Sequence, residues 1–209
     1  MEKIVIVGGG GHAKVIVSIL KKIGNFNVLG YTDKKDCGAL LGAPYLGTDI
    51  VLSSIITQHT NCSAAIGVGY LGKGDIRDQI VEQLHTLGFK MPAVISFGAI
   101  INEEVEIGDG TVIMDGVVIN SGTRVGKYTI INTHASVDHD CKIGDFVHVA
   151  PGVTLSGGVQ VGAHTFVGAG VTVIQYKKIA EQSIIGAGAV VTEDCLISGI
   201  YIGIPAHLK

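Results

Sequence analysis

The chain has 209 residues, a net charge of −3, and 47% hydrophobic against 16% charged residues. That length suits one large or two small domains, while the absence of a basic run argues against a nucleic-acid binder and no apolar stretch approaches the roughly 18 residues of a membrane-spanning helix. Its first residues lack the long apolar region of a secretory leader, and Cys37, Cys62, Cys141 and Cys195 show no CxxC spacing, so the expected setting is a reducing cytoplasm with buried free thiols.

Residues 3–7 form a short apolar run that ends in Gly8-Gly-Gly-Gly11, and residues 12–23 carry helical apolar spacing through Val15, Ile16, Ile19, Leu20 and Ile23. A second strand is expected at 27–31, closed by Thr32-Asp33-Lys34-Lys35. A strand-to-helix connection follows at 45–49, then a third strand at 63–68 and a further helix at 75–87. Alternating strands and helices predict a small α/β domain of βαβ type with a parallel sheet over residues 1–92. The stretch from Leu87 to Pro92 is the expected junction.

From Ile95 onward the period changes to six. Ile95, Ile101, Ile107, Ile113, Ile119, Val125, Ile131, Val137, Ile143, Val149, Leu155, Val161, Val167, Val173, Ile179, Ile185, Val191 and Ile197 keep one register. A second series of small or β-branched residues follows each by four positions, and Gly, Asn and Asp gather between the two. Neither a helix nor an ordinary strand repeats at six, whereas a parallel β-helix of hexapeptides does. Each hexad supplies one strand and one corner, three hexads make a coil, and stacked coils bury one another. Residues 93–209 are therefore expected to form a β-helix. Lys177 breaks the small inward series, which predicts a local bulge there.

The order of parts, with Gly8-Gly-Gly-Gly-His-Ala-Lys14 first, then Ile131-Asn-Thr-His-Ala-Ser-Val-Asp-His-Asp-Cys141, Gly144-Asp-Phe-Val-His148 and a terminal Gly203-Ile-Pro-Ala206, resembles the left-handed β-helix sugar O-/N-acetyltransferases. These are the enzymes of the sialic-acid O-acetyltransferase and UDP-4-amino-sugar N-acetyltransferase type. The resemblance spans essentially the whole chain. It implies an α/β Rossmann-like domain followed by a left-handed parallel β-helix, and a homotrimer with acetyl-CoA in the groove between neighbouring β-helices. It also implies that the N-terminal domain holds the nucleotide of an acceptor sugar, with no metal required.

Acetyl transfer needs a group to take the acceptor's proton and donors for the oxyanion. His139 falls at a corner of its hexad, so its ring can leave the prism, and Asp138 and Asp140 flank it. A carboxylate beside imidazole orients the ring and raises its basicity. The resemblance gives Asp140 that orienting part. An exposed corner histidine is the bland alternative. Asn132 is a candidate to hold the acceptor or orient His139, against a plain turn residue. His148 ends its hexad, where side chains face outward, half a coil from His139. The two would meet only across a subunit interface, and His148 is placed with the cofactor groove. His134 and His164 share a corner position without stacking, and a three-histidine zinc site is the weaker reading. Cys141, beside His139, invites a nucleophile reading, but its inward slot buries the sulfur.

Gly8, Gly10 and Ala13 partly match a dinucleotide fingerprint, with Gly11 inside the same turn and Asp33 about twenty residues further on. Read alone this suggests NAD. Its physical content, backbone N–H groups and a helix N-terminus facing a phosphate, suits a nucleotide sugar equally well. His12 is a candidate phosphate or sugar contact, and Asp33, Lys34 and Gly67 are candidates for the nucleoside. Gly157, Gly168, Gly186 and Ala187 are small enough for a pantetheine arm to lie flat, although turn geometry alone explains each. The expected function is acetyl-CoA-dependent N-acetylation of a nucleotide-linked amino sugar, UDP-linked by preference, for bacterial surface glycans. Sugar O-acetylation and a non-catalytic nucleotide-sugar-binding trimer are the alternatives.

Overall fold

The computed structural model describes residues 1–72 and 74–209. The chain divides into two compact units, residues 1–69 with 74–96 and residues 70–72 with 97–209.

The first unit is built on a parallel sheet. Strand β1 (Glu2–Val7) leads through the glycine turn into helix α1 (Gly11–Ile23), then β2 (Phe26–Thr32) and β3 (Tyr45–Gly47). Helix α2 (Leu52–Gln58), strand β4 (Ser63–Ile66) and helix α3 (Ile76–Leu87) complete it. The sheet order is β3-β2-β1-β4, all parallel. In β1, Ile4, Val5, Ile6 and Val7 are all buried, as a central strand covered on both faces requires. Helix α1 buries Ala13, Ile16, Val17, Ile19 and Leu20 and stops at Gly24, whose left-handed φ of 74° lets its N–H reach the Leu20 carbonyl.

The second unit is a parallel β-helix with three faces. The first stacks Ile100–Ile101, Val118–Ile119, Ser136–Val137, Thr154–Leu155, Thr172–Val173 and Val190–Val191. On the second lie Glu106–Ile107, Arg124–Val125, Lys142–Ile143, Gln160–Val161 and Lys178–Ile179. The third runs from Val112–Ile113 through Ile130–Ile131, His148–Val149, Phe166–Val167 and Ile184–Ile185 to Ile200–Ile202. His207–Leu208 then folds back antiparallel on Ile200–Ile202. Ladder partners are one coil apart, as in Ser136 with Thr154.

The six-residue period has a backbone cause. Glu104, Gly110, Gly116, Gly122, Tyr128, His134, Asp140, Phe146, Gly152, Gly158, His164, Gly170, Tyr176, Gln182 and Gly188 all have φ between 55° and 74°. Each corner from 104 to 188 thus turns through one left-handed residue, a conformation that costs a non-glycine residue about 1–2 kcal/mol. At one edge, stacking offsets that cost. Phe146 lies 4.8 Å from His164 with nearly parallel rings and 4.9 Å from Tyr128.

Inside the prism the aliphatic series is buried from Ile113 to Val191, each side chain contributing about 1.5–3 kcal/mol, while Ile95, Ile101 and Ile107 in the first coil are half-buried. Four threonine hydroxyls of the small series are satisfied by backbone. Thr111, Thr123, Thr129 and Thr165 donate to the carbonyls of Gly126, Asp138, Gly144 and Ala180.

Two expectations need correction. No bulge forms at Lys177: Tyr176 keeps the left-handed corner, Lys178 resumes the strand, and the Lys177 carbonyl accepts from the Gln160 N–H at 2.9 Å. Lys177 is half-buried in its slot, and its long stem lets an ammonium reach water without breaking the coil. Ile197 is not an inward residue; it is 66% exposed. Regular hexads end at Val191, where the chain leaves the repeat and its tail covers the last coil through hydrogen bonds from Ala206 N to Val190 O and from Val190 N to Gly203 O.

Candidate active site

His139 and Asp140 occupy the corner that joins the first and second faces. Asp140 is the left-handed residue there, with φ 58°, a conformation Asp tolerates better than most. This turn directs its carboxylate back along the chain, and Asp140 Oδ2 lies 2.8 Å from His139 Nδ1. Both side chains are largely open to solvent, at 51% and 72% exposure. The carboxylate fixes Nδ1 as the protonated nitrogen and leaves Nε2 as the free base. The hydrogen bond that His139 donates to Asp140, aided by the charge of Asp138, raises the His139 pKa above its ordinary value.

Neighbouring coils shape the space around the pair. A Cβ on Gly157 would stand 2.5 Å from His139 Nε2. A Cβ on Gly122 would stand 2.8 Å from Asp140 Oδ1. Both positions need glycine for room, whatever else they meet. Behind the corner, the buried Thr123 hydroxyl donates to Asp138 O at 2.7 Å and accepts from Cys141 N at 3.0 Å, so it clamps the corner from both sides. Beside it, Asn102 Nδ2 donates to Asn120 Oδ1 (2.7 Å), and Asn120 Nδ2 donates to Asp138 Oδ1 (2.8 Å). The same Asp138 oxygen accepts from His139 N at 2.8 Å. These donors hold the Asp138 carboxyl below its usual range, the Asn120 bond most of all. A groove of about 200 Å³ on the first face, lined by Asn120, Ser136, Asp138, Thr154 and Ser156, opens next to the corner.

Cys141 is fully buried, and burial pushes its thiol up to about 11. It is a packing residue of the inward series, as its slot implies.

Asn132 and His148 form a separate pair on the third face. Asn132 Oδ1 accepts from Thr133 N at 2.8 Å, which turns Nδ2 toward His148 Nε2 at 3.1 Å. His148 Nδ1 then donates to Tyr70 O at 2.5 Å. That donor order makes His148 a neutral, Nδ1-protonated imidazole. Although it ends its hexad at an outward position, His148 is not open to solvent: it is 8% exposed and packs edge-on against Phe166. Asn132 does not orient His139, because its amide is committed elsewhere. Tyr70, which comes from a distant part of the sequence, also donates its hydroxyl to His164 O at 2.9 Å. Its arrival is what sequence spacing could not show.

Gly168 and Gly186 stand at the corner between the third and first faces, with Ala187 beside them. A Cβ on Gly168 would lie 2.6 Å from Ala187 N, and one on Gly186 would lie 2.8 Å from Ile202 Cγ2. Coil stacking therefore requires both glycines whatever else they meet.

In the first unit the glycine turn is tightly made. Gly9 N donates to Asp33 Oδ2 at 2.6 Å, and a Cβ on Gly9 would stand 2.5 Å from the Tyr31 ring. Gly8 has φ 109° and lies against Gly67 and Val68, while Gly67 has no room for a side chain against Ala13 and the Gly8 carbonyl. Gly10 and Gly11, at the start of α1, have open space where a Cβ would point. The turn thus leaves the first N–H groups of a 13-residue helix accessible to an anion. Asp33 ties the turn to the end of β2, Lys34 is exposed, and His12 is half-buried in the first turn of α1.

A Rossmann-like sheet followed by a left-handed β-helix with a histidine–carboxylate corner defines the hexapeptide acyltransferase class. Residues 3–84 match the PglD N-terminal domain family and residues 140–175 the bacterial transferase hexapeptide family. Perosamine N-acetyltransferase from Caulobacter crescentus, solved with CoA and GDP-perosamine, is 36% identical over 100% of this chain and 97% of its own, with a TM-score of 0.93. The acetyltransferase domain of PglB from Neisseria gonorrhoeae, solved with acetyl coenzyme A, is 32% identical over 100% and 99%, at 0.92. WeeI from Acinetobacter baumannii is 26% identical over 100% of both chains, at 0.89. Curated protein sequences give no match. The chain belongs to the left-handed β-helix sugar O-/N-acetyltransferase family.

Proposed function

We propose that the chain is an acetyl-CoA-dependent N-acetyltransferase acting on a nucleotide-linked amino sugar for surface glycan synthesis, with His139 as general base. The observation that carries the reading is the 2.8 Å bond from His139 Nδ1 to Asp140 Oδ2 on an open corner. The relatives solved with CoA, acetyl coenzyme A and GDP-perosamine support the two substrates.

In this reading the neutral amine attacks the thioester carbon. The C–S bond breaks as the C–N bond forms, and the amine's proton passes to His139 Nε2 and on to the departing thiolate. Asp140 stabilises the imidazolium in between. Direct transfer needs no acyl-enzyme, in keeping with the buried Cys141 thiol. The open N-terminus of α1 with Gly8, Gly10, Gly11 and His12 takes the diphosphate, and Asp33, Lys34 and Gly67 border the nucleoside. The small corner residues Gly168, Gly186 and Ala187 line the pantetheine path in a homotrimer.

Release of free thiol from acetyl-CoA, measured with a panel of UDP- and GDP-linked amino sugars, tests the proposal. Turnover with at least one amine is the expected result. Turnover only with hydroxyl sugars would favour O-acetylation, and silence across the panel a binding protein.

A further inference from the structure

Asp138 is not absorbed by the base mechanism, yet it is the most deliberately held carboxylate near it. Donors run one way through a ladder of side chains one coil apart, from Asn102 to Asn120 to Asp138. Each amide spends its oxygen on the rung below or its N–H on the rung above, so the chain can end only on a group that accepts. Asp138 Oδ1 takes two donors, Asn120 Nδ2 and His139 N, each at 2.8 Å. No protein donor reaches Oδ2 among the described residues, and the side chain is half-buried. The groove of about 200 Å³ beside it is lined otherwise by neutral groups, with hydroxyls from Ser136, Thr154 and Ser156, and Asp138 supplies its one charge.

We propose that Asp138 Oδ2 is the acceptor-selecting group of the site, holding the sugar's amine as ammonium beside His139 and so favouring amine over hydroxyl acceptors. This rests on the N-acetyltransferase reading and deepens it. An amino group on a sugar is largely protonated in neutral water, whereas a hydroxyl in the same place is neutral. A fixed carboxylate in a groove of neutral polar groups therefore distinguishes them by charge. The bound ammonium sheds one proton to solvent through His139 before attack. The amine's second proton leaves during transfer, to the thiol product, so each turnover releases one net proton. The ladder's part is to keep Asp138 ionised and to aim it, since Oδ1 is pinned and Oδ2 alone can turn to the ligand.

The test is Asp138→Asn, whose amide oxygen still accepts from Asn120 and His139, assayed with GDP-perosamine or whichever amino sugar of the panel the wild-type enzyme turns over. Inhibition by the matching nucleotide sugar with a hydroxyl in place of the amine is measured alongside. The proposal expects the amine's KM to rise about tenfold to a hundredfold, as for a lost charged hydrogen-bond partner, while the hydroxyl analogue's Ki stays within about twofold and thermal stability is preserved. An unchanged amine KM, or equal weakening of both ligands, overturns it. A wild-type enzyme that turns over no amine in the panel overturns the function itself, which is a different result.

Discussion

Gly157→Ala separates the chemistry from the fold. The backbone at Gly157 is not left-handed, so alanine is conformationally allowed, and such a change ordinarily stabilises by about 0.4–1 kcal/mol through the unfolded chain. Its new Cβ, however, would stand 2.5 Å from His139 Nε2 and 2.7 Å from Cε1. Normal contact is about 3.5 Å, so the ring must retreat by roughly 1 Å. The ring is half-exposed and free to swing, and swinging takes Nδ1 off the Asp140 oxygen that it meets at 2.8 Å. A misplacement of about 1 Å can cost a factor of about 100 in rate. The expected outcome is kcat down about a hundredfold with a melting temperature within a few degrees of wild type, read by thiol release and thermal denaturation. Gly168→Ala is the contrast. Its Cβ meets backbone at Ala187 N and Ile185 O, at 2.6 and 2.7 Å, which cannot swing aside. That variant should lose about 1–3 kcal/mol of stability. If Gly157→Ala keeps kcat within about threefold, the stated orientation of His139 is not the working one.

Thr123→Val strands the Asp138 carbonyl and the Cys141 N–H, both otherwise bonded to the hydroxyl. At about 1–3 kcal/mol for each buried unpaired group, it should lower the melting temperature by several degrees and reduce kcat with it; unchanged stability would contradict the clamp. Asp140→Asn removes the interaction that raises the His139 pKa. Because the base works deprotonated, kcat/KM should rise with pH through that pKa, and the inflection should move to lower pH in the variant; an unmoved inflection counts against Asp140. Iodoacetamide near neutral pH should label the exposed Cys37 and spare Cys62, Cys141 and Cys195, whose thiols burial pushes up to about 11. Peptide mass spectrometry reads the labelling, and activity should survive it.

The six-residue register was legible because each corner needs one left-handed residue and each strand one inward aliphatic, and both demands repeat in sequence. The same register put His139 and Asp140 on a corner and Cys141 inside. It could not say what else comes to a coil. Tyr70 reaches His148 from far earlier in the chain, which turns an outward position into a buried one and takes Asn132 with it. Lys177 shows the opposite limit, since a half-buried lysine stem satisfies the slot without the bulge that its charge suggested. The ladder of Asn102, Asn120 and Asp138 had a readable signal, polar residues at one hexad position spaced by whole coils, as did Thr123 in the small series one coil before Cys141. In the first unit, the fingerprint glycines marked the turn, but Gly9, outside the pattern, makes the bond to Asp33.

The central claim is that His139 is the base. Its most direct test is His139→Ala assayed for kcat in thiol release and, separately, for acetyl-CoA affinity by calorimetry. The expected result is a fall in kcat of about 100-fold to 10,000-fold, with acetyl-CoA affinity within about threefold of wild type. Near-normal kcat in that variant would contradict it.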